Sequence, residues 1–253
     1  MPAVYGAIGD KWHQLGGPNS FLGEPLDDET DFSENGRVSR FHGGSIVWWP
    51  DVGAFAIGEM FIHYTGLNCF HDTSGHGSDE PYAVLGVSVP SIPDRSFRTV
   101  IHGDVDGGDT RPEVIELYRG PPRGIAISYA LMEHDSGNPE QYRDAMRGVA
   151  SAATGAAAEA VKFIPKIGPI LAPATGPLLA LLNPVIADAL EGLLGLGDDL
   201  IGKGSIVLSA KEMVLMASRP NQVEKNVGFK IPSPLLLGDG GSYKIYFGGV
   251  TTP

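Results

Sequence analysis

The sequence predicts a mainly β protein in two parts: a small amino-terminal module, then an antiparallel β-sandwich carrying an inserted α-helical hairpin. Three observations lead there. The 253 residues include 35 glycines and 20 prolines, too many turn-formers for a helical bundle or coiled coil. Between residues 61 and 129 the apolar side chains recur with a period of two, in short runs separated by Gly, Pro and Asp, the pattern of half-buried strands. From Pro139 the composition switches to strong helix formers. The length suits one large domain or two smaller ones, each able to bury a core.

Residues 1–58 are aromatic and glycine-punctuated, and a boundary is placed near Gly58, with the second domain over 59–253. Within the module, Ile46 and Trp48 face Phe55 and Ile57 across a turn through Pro50 to Gly53, as a short hairpin. Strands are expected over 61–67, 82–89, 97–101, 112–117 and 124–132. The stretch YRDAMRGVASAATGAAAEAVKFIP then reads as a helix that ends at a proline. A second helix follows over 178–194, where Leu178, Leu181, Leu182, Val185, Ile186, Ala189, Leu190 and Leu193 make one apolar stripe. Prolines at 165, 169, 173, 177 and 184 interrupt this region too often for a stable membrane span. A packed hairpin over about 139–197 is the expectation. Its small-residue content keeps a membrane-inserting hairpin open as the alternative. β character returns over 204–208 and in GGSYKIYFGGV near the carboxyl end.

Composition narrows the function. A net charge of -12 and no cluster of basic and aromatic residues exclude nucleic acid as a partner, and make cations the expected small ligands. The single cysteine, Cys69, excludes an intramolecular disulfide and a thiolate-rich zinc site. The opening MPAVYGAIGD has neither a basic nor an apolar leader segment, so no export signal is expected in this chain. No G-x-S-x-G elbow, H-E-x-x-H helix or phosphate loop is present. His63, Cys69, His71 and His76 are close in sequence but lack zinc-site spacing, and strand packing with loop polarity accounts for them. No catalytic residue is assigned.

The module's motifs are more specific. Trp12, Leu15-Gly16-Gly17, Leu22-Gly23-Glu24-Pro25, Phe41-His42-Gly43-Gly44-Ser45-Ile46, Trp48 and Pro50 follow in order. This series resembles the LGFP repeat of actinobacterial and some fungal cell-envelope proteins, in one copy. Glu24 stands where the repeat has the phenylalanine of its name. The resemblance implies attachment to cell-wall material, as an accessory to a secreted or catalytic partner domain, and an extracellular or envelope-associated place for the protein. Adjacent Trp48 and Trp49 point to opposite faces of a strand, so one fills the core while the other meets solvent. Both are candidate ligand-binding residues, since an exposed indole offers a platform for a sugar; the alternative is that both simply pack the module.

Two acidic segments flank expected strands. Asp72 and Asp79 bracket the glycine-rich loop HDTSGHGSD; Glu133 and Asp135 follow the strand IAISYALM, and Asp198-Asp199 resumes after the helical insertion. Calcium takes six to eight oxygens from carboxylates and carbonyls of such loops. At these residues the chain resembles the C2 family, the calcium-dependent lipid-binding sandwich: Ser78-Asp79-Glu80-Pro81-Tyr82, Met132-Glu133-His134-Asp135 and Asp199-Leu200-Ile201-Gly202 carry the likeness. It implies Asp72, Asp79, Glu133, Asp135 and Asp199 as metal ligands, with Asp198 as a substitute for the last. Asp104, Asp106 and Asp109 form a secondary candidate with the D-x-D spacing of calcium loops. The competing reading has these carboxylates capping turns and solvating the rim. The expected function is a non-enzymatic calcium-binding protein meeting cell-wall glycan, an envelope surface or a phospholipid membrane. The alternatives are a membrane-inserting effector and a cell-wall hydrolase.

Overall fold

A period-two strand buries both of its faces only if something covers each one, and strand β3 of the module is covered on both sides. In the computed structural model, which describes residues 2–75, 77–134, 198–218 and 228–252, helix α1 (Gly6–Gln14) precedes β1 (Thr30–Phe32), β2 (Gly36–Phe41), β3 (Gly44–Trp49) and β4 (Gly53–Ile57). The four strands form one antiparallel sheet in the order β1-β2-β3-β4. Ile46 joins Ile8, Leu22 and Phe41 in a small core under α1, with Trp12 and Trp48 packed on it. Val47 and Trp49 point the other way and belong to the main core. A hairpin is present, but its register corrects the expected pairing: Ile46 and Trp48 lie opposite Ala56 and Ala54, while Phe55 lies opposite Val47 and Ile57 opposite Ser45, so Phe55 and Ile57 belong to the main-core face. Helix α1 went unread because only Ile8 and Gly9 of it are buried, with Trp12 half-buried beside them, too little for a periodic signal.

The repeat's glycines have steric reasons. Gly43 N–H donates to Leu22 O at 2.9 Å, and a Cβ on Gly43 would lie 1.9 Å from Phe21 O. Only glycine lets the 22–26 segment lie that close to the end of β2, where Pro25 pairs with Phe41 and Leu26 N–H donates to Arg40 O at 2.8 Å. Glu24 is exposed, so replacing the repeat's usual phenylalanine takes nothing from the core.

The sandwich follows from β5 (Met60–His71), β6 (Pro81–Val89), β7 (Ile92–Arg98), β8 (Thr110–Gly120), β9 (Ile125–Glu133), β10 (Asp199–Leu208), β11 (Gly228–Pro232), β12 (Leu236–Gly238) and β13 (Gly241–Thr251). One sheet has the order β10-β9-β6-β7 and the other β11-β13-β5-β8, with β12 on β13, and all pairings are antiparallel. In β5, Met60, Ile62 and Tyr64 face inward, and then Leu67 and Cys69 do. The parity flips at a bulge against β13 between Tyr64 and Gly66, where Gly66 has φ 129 and a Cβ would meet Arg111 O at 2.4 Å. One extra residue moves every later side chain to the other face.

Most expected strands are present and longer than their sequence runs. The exception is 97–101. Ser91, at φ 64, turns the chain tightly so that Val89 faces Ile92, and β7 occupies residues 92–98 instead. Pro93 is tolerated there because β7 is an edge strand. The helical hairpin expected over 139–197 lies outside the described residues. Helix α2 (Ala210–Ala217) went unread although its start carries a signal. Ser209 accepts from Glu212 N–H and Glu212 caps Ser209 in return, a capping box visible as S-x-x-E.

Helix α2 also joins the two parts. Lys211 is buried; its Nζ donates to both Asp51 oxygens at 2.6 and 2.7 Å, and its backbone N–H donates to Glu34. The same ammonium lies 6.0 Å from the Trp49 ring centroid. Trp49 is fully buried and donates from Nε1 to Ser33 O at 2.9 Å. A Cβ on Gly36 would sit 2.6 Å from that nitrogen. At the other end of the junction, Glu59 N–H donates to Thr252 Oγ1 and Thr252 N–H to Glu59 O, each at 2.9 Å. The chain crosses from module to sandwich at Gly58, and the apolar core continues across that point.

Candidate functional site

Strands β5 and β9 end, and β6, β8, β10 and β13 begin, at one end of the sandwich, as the registers His71–Ser242, Asn68–Thr110, Pro81–Glu133 and Asp199–Glu133 require. The candidate carboxylates within the described residues are therefore gathered at a common end, and what each one binds decides their use.

Asp79 is 3% exposed. Its carboxylate accepts from Thr73 N–H at 2.9 and 3.2 Å, from Thr73 Oγ1 at 2.7 Å, and from the Tyr243 hydroxyl. Its backbone is tied as well, exchanging two 3.0 Å bonds with Val105. Burial, then the bond to the Asp79 carboxylate, push the Tyr243 hydroxyl far above its ordinary pKa, so Tyr243 stays a donor at any physiological pH. Asp198 forms a second set. It is 1% exposed and accepts from the Tyr82 hydroxyl and, at 2.9 Å, from His134 Nδ1. Glu133 is buried and accepts from Glu80 N–H at 3.4 Å. Asp199 is exposed across from it, and Asp72 lies 3.9 Å from His71 Nδ1 on a partly exposed loop. Asp135 lies outside the described residues.

The secondary candidate is occupied by a cation of the protein itself. Asp109 accepts from Asp106 N–H at 3.2 Å and from Arg111 at 2.9 Å, and Arg111 also donates to Asp104 O. The Asp106 backbone bond, followed by Arg111, holds the Asp109 carboxyl below the usual aspartate value. Asp104 and Asp106 are exposed.

Among the described residues, no group of three or more His, Cys, Asp or Glu side chains is placed to hold a metal ion. Of the candidate ligands, Asp79 and the substitute Asp198 already receive hydroxyl, imidazole or amide donors on their lone pairs. The described residues do not fit a calcium cage. Asp79 and Asp198 work as buried braces, tying loop 72–80 to β13 and the start of β10 to β6. Cys69 is buried, with its thiol pushed up chiefly by burial, while His71 is exposed, so this pair does not converge either.

The tryptophans divide as strand geometry requires. Trp49 lies wholly inside the main core, and its assignment as a ligand-binding residue is corrected: no face of the indole is open. Trp48 is half-buried on the α1 side and keeps solvent contact. Near it, Trp12 Nε1 donates to Gly23 O at 3.0 Å, and His42 Nδ1 lies 3.0 Å from Glu24 O. These bonds hold the Leu-Gly-x-Pro segment in place. Among the described residues no helix is long and apolar enough to cross a membrane.

This geometry defines the class of protein: an antiparallel β-sandwich welded to a small four-stranded module. The family model of the LGFP repeat matches residues 22–67, which span β1 to β4 and the start of β5. No curated protein matches the chain. Among solved structures, a C2 domain of plant extended synaptotagmin 1 aligns over 78% of this chain and 95% of its own length, at 9% identity and a TM-score of 0.31. That likeness is too low to transfer residue roles.

Proposed function

We propose that the protein is a non-enzymatic attachment protein of the cell envelope, in which the LGFP repeat binds wall glycan outside the cytoplasm and the sandwich serves as its rigid mount. The observation that carries this reading is the match of residues 22–67 to the repeat, together with a module whose motif glycines and prolines hold the backbone as the motif demands. Trp48, half-exposed on the small core on which Trp12 also packs, is the aromatic surface the repeat offers to a sugar ring. Calcium has no part in the reading, because Asp79 and Asp198 are engaged within the fold.

Co-sedimentation of the full chain with purified cell-wall sacculi tests it. The protein is expected in the pellet, and Trp48→Ala should lower the bound fraction about fivefold to tenfold, the worth of one aromatic contact. A soluble, folded protein that stays in the supernatant overturns the reading. Release of soluble sugars from the sacculi would favour the hydrolase instead. Dye release from phospholipid vesicles would favour the membrane-inserting effector.

A further inference from the structure

Strand β4 ends its sheet, and its outer edge is free. Gly53–Ile57 pair with β3 on one side, and among the described residues their backbone makes no other hydrogen bond. Beside that edge opens a cavity of about 350 Å³. Leu15 and Phe21 line it from the module, Phe55 from β4 itself, and Ala217 and Thr251 from α2 and β13. Lys11 stands at its wall, half-buried. Among the described residues Lys11 makes no ion pair with a carboxylate, in which it is like Arg95, Arg98, Arg123, Lys203 and Lys244 and unlike Arg37, Arg40, Arg111, Arg119 and Lys211, and it is the one cation that lines this groove.

We infer that this groove binds an extended peptide segment, added as a further strand on the edge of β4, with an acidic side chain or terminal carboxylate set against Lys11. The unpaired edge decides the class of occupant. An acyl chain would cover β4's free N–H and C=O groups without satisfying them, which costs the desolvation of each group, while a strand pairs them. Charge disfavours a second copy of the chain. Two β4 edges pairing with each other would join two chains each of net charge -12, a larger repulsion than a short peptide with one acidic group meets. An acidic peptide meets a lone cation instead. Leu15, Phe21, Phe55 and Ala217 make the lining mainly apolar, so the side chains of the incoming strand that meet it, alternate ones along the strand, need to be apolar and of modest size.

The test uses the full-length chain and a fluorescent library of hexapeptides with valine at alternate positions and a carboxyl-terminal glutamate. Polarisation should find members binding tighter than about 1 mM. N-methylation of the amides on one edge of the best member should weaken it at least about tenfold, the worth of a hydrogen bond lost from a desolvated backbone group. Lys11→Glu should weaken it by a similar factor and Lys11→Arg should not, with sacculus binding through Trp48 unchanged in both. Hydrogen exchange of the β4 amides should slow when the peptide is bound. The inference is overturned if no library member binds or if the N-methylated peptide binds equally well. It is also overturned if laurate occupies the groove in preference to every peptide, or if sedimentation shows the groove closed by a second copy.

Discussion

The acidic end of the sandwich and the junction groove differ in what each leaves unsatisfied. At the acidic end the charge density is high, yet Asp79, Asp198 and Asp109 each accept bonds from the protein's own donors. In the junction groove the lining is mainly apolar, but one ammonium, that of Lys11, and one strand edge have no internal partner among the described residues. Density of carboxylates therefore misleads about ligand capacity, because burial forces Asp79 and Asp198 to be used internally, and Arg111 takes Asp109. The free groups mark the surface that can still form bonds.

The largest effect expected tests whether the junction is core or mere contact. Trp49 is fully buried among residues of both parts, so Trp49→Ala should cost about 3–5 kcal/mol, read from urea unfolding. Repeat and sandwich should still melt in one transition. A loss under about 1 kcal/mol, or two separate transitions, would reduce the junction to a surface contact and break the comparison.

A smaller effect tests the acidic end. Asp79→Ala strands Thr73 N–H and the Tyr243 hydroxyl in the interior, and should cost about 2–4 kcal/mol. Tyr243→Phe removes a single donor and should cost about 1–2 kcal/mol. Calcium sharpens the point. A ligand at one hundred times its dissociation constant would add about 2.7 kcal/mol to the folded state. Millimolar calcium is expected to leave the melting temperature unchanged in both the parent and Asp79→Ala. A clear rise in the parent that is lost in the variant would restore Asp79 as a metal ligand.

The same comparison shows what the sequence could and could not disclose. The β-sandwich and the module's hairpin were legible because period-two runs and turn residues are local signals. The repeat was legible because its glycines answer to backbone approaches, such as Gly43 against Phe21. The gathering of the acidic segments at one end also followed from strand order. Their use did not, because Thr73, Tyr243, Tyr82 and His134 reach Asp79 and Asp198 from up to 164 positions away, and no spacing rule announces a donor at that separation. The C2 resemblance weighed the carboxylates and left their donors unseen. Trp49 was misjudged for a related reason: period two says that Trp48 and Trp49 part company, but what covers each face depends on α1 and α2, neither of which the sequence reading placed. The capping box at Ser209 and Glu212 was the signal available for α2.

The smallest expected effect is the dependence of the junction on pH, where two acids beside α2 act in opposite directions. Hydrogen bonding from Lys211 holds the Asp51 carboxyl below its ordinary value of 3.8. A lowered folded-state pKa means stability that is present above the ordinary value and lost as pH falls through the lower one. The junction should loosen below about pH 4, and Asp51→Asn should remove that dependence while leaving the buried Lys211 ammonium without its counter-charge. Glu212 is the reverse case: burial, opposed by its bonds to Ser209, raises its carboxyl above 4.5. Its contribution is complete below pH 4.5 and declines as pH climbs through the raised value. Glu212→Gln keeps the capping geometry and carries no charge, so its melting temperature should exceed the parent's by about 1–3 °C at pH 7 and match it near pH 4. Thermal melts of both variants from pH 3 to 8 separate the two contributions, since one slope disappears in each. If both slopes persist in both variants, the pH response originates away from α2, and the junction is held by packing around Trp49 alone.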